Sequence, residues 1–155
     1  MSKLSTAWGP MSIRVIIGIG FIYHGFIKLF TSWGHDIFLR MLTEIGIPGA
    51  TVISWLIGAI EFFGGIAILL GAFVTIASII LILNMLVAMF TVNISQGFNV
   101  FNVTVMVEAG PKYGLPGYEI NLLYIAGLIT LLIAGAGMLS IDKYLKERSK
   151  PESSE

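Results

Sequence analysis

Residues 52 to 92 form a run of 41 with a single charged side chain, Glu61. As one helix this run would reach about 60 Å at 1.5 Å per residue, twice the roughly 30 Å of a bilayer's hydrocarbon core. It must therefore fold back on itself, and Gly71, at its middle, sets the turn near residues 71–75. Two membrane-crossing helices joined by a very short loop follow from this one feature. Composition agrees: 12% of residues are charged, about half the share in a soluble domain. Mean hydropathy is +0.91.

Two more apolar runs flank this hairpin. Residues 11–30 read as a first span rather than a cleaved leader. Its apolar stretch is followed by His24 and Lys28, with no small-residue cleavage site. Residues 118–139 read as a fourth span, and 142–155 as a charged tail. In the spacer after the first span, Ile37, Phe38, Met41, Leu42 and Ile45 recur at helical spacing. That pattern predicts a short amphipathic helix in the membrane interface. Gly46, Pro48 and Gly49 close it. Residues 93–117 are polar and punctuated by Pro and Gly. Partial alternation over 100–107 predicts a small β-hairpin or a partner-docking loop. Two glycosylation sequons there, at Asn93 and Asn102, carry no weight without a sign of a secretory route.

The expected architecture is an all-α integral membrane protein, a single domain over 1–155. It is an antiparallel four-transmembrane-helix bundle with spans at about 11–30, 52–70, 74–93 and 118–139. A short interfacial helix follows the first span, and a longer external loop precedes the fourth. Lys3, Arg14, Lys143, Lys146, Arg148 and Lys150 mark one side, against Lys28, Arg40 and Lys112 on the other. Basic residues collect on the cytoplasmic face. Both termini are therefore expected in the cytoplasm and the protein in the plasma membrane.

The charges inside the spans are the candidate site. A charge at mid-bilayer costs about 2.5–3.5 kcal/mol on insertion scales, whereas Lys and Arg near a helix end reach the interface. Arg14 and Lys28 are near ends; His24 and especially Glu61 are deeper. At 100° per residue, Arg14, Gly18, Phe21, His24, Gly25 and Lys28 share a wedge of roughly 120°. Glu61 shares a face with Ser54, Gly58 and Gly65, Asn84 with Ala77, Ala88 and Thr91, and Glu119 with Ala126, Thr130 and Gly137. Gly18, Gly25, Gly58 and Gly65 remove bulk so that backbones can approach. Depth matching pairs Glu61 with His24, or with Arg14, and Glu119 with Lys28. Such pairs either move protons beside a cavity or only hold helix register.

No cysteine is present, which removes disulfides, iron–sulfur clusters and thiolate metal sites. With two histidines, one of them in the spacer, neither haem nor another metal centre is expected. Zero net charge gives no field for nucleic acid.

The strings "RVIIGIGFIYHGFIKLF", "IGAIEFFGGIAILLG", "LVAMFTVN" and "GYE" together resemble the DoxX family over residues 13–139. The match joins Arg14, His24, Gly25, Lys28, Glu61, Gly64, Gly65 and Gly71 in order. This resemblance implies a small four-span membrane protein, in a group that includes DoxD-like subunits of thiosulfate:quinone oxidoreductases. Two departures stand out: Asn93 where members often carry histidine, and a longer stretch at 100–115. The expectation is a quinone-interacting or redox-associated subunit of a membrane oxidoreductase complex. His24 and Glu61 would be its catalytic proton carriers, and Arg14, Lys28, Asn84 and Glu119 its quinone contacts. An exchangeable quinone would be the cofactor. A redox partner protein would supply electrons, and the chain could self-associate. A non-catalytic accessory subunit and a small-solute carrier are the rival readings.

Overall fold

The computed structural model describes residues 3–148, with side chains from residue 8 onward. Residues 149–155 of the expected tail, Lys150 included, lie outside the described residues, as does the Lys3 side chain. In chain order come α1 (Lys3–Phe30), α2 (Ser32–Glu44), α3 (Ala50–Leu70) and α4 (Val74–Ala88). A π-helical turn (Met89–Asn93) and a 3-10 turn (Ile94–Gln96) extend α4. Strands β1 (Val103–Val107) and β2 (Gly110–Tyr113) follow, then α5 (Glu119–Ala134) and α6 (Ile141–Arg148).

Four helices close a ring: α1 packs on α3, α3 on α4, α4 on α5 and α5 on α1. The tightest contact is α1 on α3, and glycine makes it so. A side chain at Gly18 would collide with the Leu69 backbone, and one at Gly65 with the Ile22 backbone. Gly25 meets the Phe62 backbone, and Gly58 meets Leu29 and Lys28. The two helices thus run antiparallel with backbones in contact, which replaces side-chain interlocking with close dispersion contact.

The α3–α4 turn is set by Gly71, whose φ of +67° favours glycine. Gly71 N donates to Ile68 O (3.1 Å) and Ala72 N to Ala67 O (2.9 Å), the Schellman pattern that satisfies the last carbonyls of a helix. Asp142, from α6, then caps α4: its carboxylate accepts from Phe73 N at 2.7 Å and Val74 N at 2.9 Å. The apolar core fills this half of the ring, with Ile17, Phe21, Ile68, Val74, Ala77, Leu81, Leu128 and Leu131 all buried. We call this the Gly71 end and the opposite one the hairpin end.

The ring's outer surface is apolar. Ile16 is 73% exposed and Ile133 83%. Contiguous exposed apolar surface on this scale is excluded from water by the hydrophobic effect and belongs in lipid. Among the described residues, three helices are long and apolar enough to cross a bilayer: Trp8–Phe30, Ala50–Leu70 and Val74–Gln96.

Two sequence expectations need correction. The run at 118–139 is not one helix: α5 has 16 residues and stops at Ala134. Gly135 and Gly137 both adopt positive φ, and this glycine pair breaks the helix despite its apolar neighbours. The small β-hairpin expected before α5 does form, so the protein is mostly helical rather than all-α. Its antiparallel hairpin pairs Val107 with Gly110 and Val103 with Tyr113, with a bulge between Val103 and Val105. The hairpin's base is stitched down by backbone bonds from Gly117 to Asn99 O and from Tyr118 to Gly97 O.

Candidate functional site: a cavity beside a buried ion pair

The α1–α3 register decides the pairing of charges. Gly25 lies against Phe62 and Gly58 against Lys28, so Glu61 falls in height between His24 and Lys28. The long lysine stem closes the gap. Lys28 Nζ donates to both Glu61 oxygens, at 2.6 and 2.5 Å. Asn84 Nδ2, from α4, donates to Glu61 Oε1 at 3.2 Å. Glu61 is 3% exposed. A carboxylate so buried is tolerable because an ammonium and an amide both saturate it. Lys28 also lies 4.4 Å from the Phe38 ring centroid, a cation–π contact contributed by α2.

The expected Glu61–His24 pair is therefore corrected to Glu61–Lys28. The expected Glu119–Lys28 pair does not form either. Glu119 Oε2 instead accepts from Val100 N at 3.1 Å and helps anchor the loop. Arg14 is at the far end of the ring. Its guanidinium donates to Leu69 O (3.2 Å), Leu139 O (2.8 Å) and Ala136 O. Leu69 O is one of the last carbonyls of α3, which a helix leaves unsatisfied, and the other two lie in the turn between α5 and α6. Arg14, 2% exposed, thus ties three chain segments together. Neither Arg14 nor Glu119 lines the cavity described next, so neither is placed to touch a ligand there.

Above the core, toward the hairpin end, the ring opens into a cavity of about 630 Å³. Its walls are Phe21, His24 and Lys28 of α1, Ile53, Ile57 and Glu61 of α3, and Asn84, Met85 and Ala88 of α4. Ile120, Asn121 and Tyr124 of α5 complete the ring, and Phe38, Met41 and Leu42 of α2 cover it. The π turn contributes Thr91, Val92 and Asn93. An extra residue in such a turn rotates the following side chains, and these turns recur at functional sites. Asn93 is buried and donates to Pro116 O at 2.8 Å, so it ties the loop to the cavity's rim.

Helix α2 owes its place to local chemistry. Thr31 caps it by accepting from Gly34 N (3.2 Å), and His35 Nδ1 lies 3.0 Å from Lys28 O. The His35 ring stacks on Trp55 of α3 at 4.1 Å between centroids. The hydrophobic pattern that predicted an amphipathic helix here is resolved into two faces. Leu42 is buried and Phe38 half-buried toward the cavity, while Trp33 and Ile37 are exposed.

Sequence reading missed Asn121, Tyr124 and Phe38. Asn121 is 4% exposed, and its amide donates to Met85 O at 3.4 Å while its Oδ1 has no partner among the described residues. Its signal was available: a lone amide in an apolar run, one turn from Tyr124.

Comparison with known proteins follows the same outline. A family model for DoxX matches residues 9–94, more than half of the chain. The chain belongs to the DoxX family. The matched region covers α1 to α4 and so includes His24, Lys28, Glu61 and Asn84, the polar wall of the cavity. It stops before the hairpin and α5. This DoxX protein is similar to the uncharacterized membrane protein Rv3486 of Mycobacterium tuberculosis, at 27% identity over 157 residues, covering 95% of this chain and 89% of the relative. It is also similar to CatD of Bacillus subtilis, which carries a provisional oxidoreductase name, at 25% identity over 142 residues, covering 92% and 90%. No solved structure matches it significantly. It is a multi-pass membrane protein in contact with the lipid bilayer.

Proposed function

We propose that this DoxX protein binds a quinone in the cavity and couples the redox chemistry of a partner to the quinone pool. The observation that carries the reading is the cavity itself. Its volume, about 630 Å³, falls in the range of about 300–1,000 Å³ usual for small-molecule sites, and its walls are mostly apolar with a few convergent polar groups. A quinone ring and the first part of its tail have that size and polarity. The oxidoreductase name of CatD supports a redox setting. Electrons come from a partner protein or from the substrate. His24 and the polar wall offer proton exchange with quinone oxygens, while Glu61 acts through the Lys28 pair rather than directly.

In this reading the ring of helices is one membrane domain with four spans. Helix α5, about 24 Å long at 16 residues, crosses together with the bent segment that follows it. Helix α2 lies in the interface over the cavity mouth. Both termini face the cytoplasm from the plasma membrane, because Arg14, Lys143, Lys146 and Arg148 lie at the Gly71 end, against Lys28, Arg40 and Lys112 toward the other. The hairpin then faces outward as the surface for a redox partner.

The reading is tested by thermal unfolding of the detergent-purified protein with and without a short-tailed benzoquinone. A ligand at 100 times its Kd stabilises the folded state by about 2.7 kcal/mol. A rise in midpoint that saturates with concentration is expected. No shift, together with no quinone in the co-purified lipid, would remove the proposal. The carrier reading has no observation of its own in the structure, since the two opposite charges at the cavity are spent on each other.

A further inference from the structure

The Lys28–Glu61–Asn84 cluster is closed: every oxygen of the carboxylate already has a partner. Two other polar side chains on the cavity wall make no hydrogen bond at all among the described residues. The Tyr124 ring packs edge-on against Phe21, with centroids 5.0 Å apart at 72°. Its hydroxyl lies over Gly20, where any side chain would collide with it. Among the described residues this hydroxyl makes no hydrogen bond. Nor is it sealed, since the buried side-chain atoms without a partner are Ser78 Oγ and Asn121 Oδ1. His24 is the second group. Its ring meets Tyr23 edge-on, it makes no hydrogen bond among the described residues, and it is exposed to the cavity it lines. His24 follows Gly20 by one turn of α1, a rise of about 6 Å. The open hydroxyl therefore lies about one helical turn along α1 from the position that carries the open imidazole.

We propose that Tyr124 and His24 are the polar contacts of the ligand. They select an uncharged ring bearing two oxygens, a benzoquinone or its dihydroxy form, and this inference rests on the quinone reading above. The full charges on the cavity wall are Lys28 and Glu61, and they cancel, so an ionic ligand gains nothing there. A tyrosine hydroxyl donates or accepts, and a neutral imidazole offers one donor and one acceptor. The pair thus holds either a carbonyl or a hydroxyl at each end of a ring, which suits a site that must hold both oxidation states. Gly20 is the positioning residue, because its missing side chain makes the place for the Tyr124 hydroxyl.

The test compares three probes on the full-length protein in detergent: a short-tailed benzoquinone, its reduced dihydroxy form, and the alkylbenzene with the same tail. The wild type is expected to bind both oxygenated rings at least tenfold more tightly than the alkylbenzene. Tyr124→Phe keeps the edge-on packing and is expected to lose about tenfold for the oxygenated rings, with alkylbenzene affinity unchanged. Gly20→Ala, which displaces the hydroxyl without removing it, is expected to act in the same direction. If the wild type discriminates and Tyr124→Phe does so equally well, the assignment of this pair is overturned while the quinone reading stands. If the wild type fails to prefer the oxygenated rings, both fall.

Discussion

The two ends of the helical ring solve the problem of buried polarity in opposite ways. At the Gly71 end, Arg14 spends its guanidinium on backbone carbonyls of Leu69, Ala136 and Leu139, and Asp142 spends its carboxylate on the amides opening α4. Charge there meets helix-terminal backbone, and apolar side chains fill the remaining space. At the hairpin end, Lys28 and Glu61 meet each other, and beside them the ring is hollow, with unspent groups on its wall. The same short chain thus builds one end for cohesion and leaves the other open for a ligand. Backbone groups at helix ends cannot move away, so a charge bonded to them locks segments together. A side-chain pair satisfies only itself and leaves its neighbours free.

Breaking the pair at the hollow end is expected to cost most. Glu61→Gln leaves the Lys28 ammonium largely buried without a counter-charge, a loss of about 3–5 kcal/mol in unfolding free energy. Replacing both, as Lys28→Met with Glu61→Leu, is expected to recover most of that loss, because well-packed apolar residues substitute for a buried pair at little cost. A double variant as unstable as the single one would contradict the description of this pair as self-contained. Arg14→Met at the closed end comes next, at about 3 kcal/mol or somewhat more, since it strands three carbonyls. No second substitution is expected to rescue it, because its partners are backbone. Chemical unfolding in a fixed detergent measures both.

Asp142→Ala is expected to cost about 1 kcal/mol, the ordinary size of a lost helix N-cap, and to leave ligand affinity unchanged. The smallest effect is expected in the hairpin. Met106 is 73% exposed, and Met106→Ser should move unfolding by less than about 0.5 kcal/mol. A larger loss would mean that the hairpin belongs to the cohesive part of the molecule.

How much of this could be read from the sequence is clear from particular residues. Glu61 stood out because the one charge in a mostly apolar run of 41 residues demands a partner. The shared face of Arg14, His24 and Lys28 followed from helical angle. The partner of Glu61 did not follow, because Glu61 lies between His24 and Lys28 in height. Side-chain reach then decides, and reach is invisible to residue spacing. The partners of Arg14 were missed for a related reason: they are backbone carbonyls at the end of α3 and in the α5–α6 turn, which any residue type can present. The hairpin was half-legible from the alternation over 100–107, and the early end of α5 was hidden because Gly135 and Gly137 also suit helix packing. The polar wall of the cavity was legible, since His24, Lys28, Glu61 and Asn84 stand out in the spans, but the hollow beside them was not. Its walls come from all four helices of the ring and from α2, and no single segment encodes that meeting.

The central claim is that the hollow end holds a quinone ring, and the most direct measurement is where a photoreactive short-tailed quinone attaches. In the full-length protein, labelling is expected between residues 20 and 28 of α1 and between 120 and 124 of α5, and an excess of unlabelled quinone should suppress it. Labelling confined to the outer apolar surface, or unaffected by competition, would contradict the account.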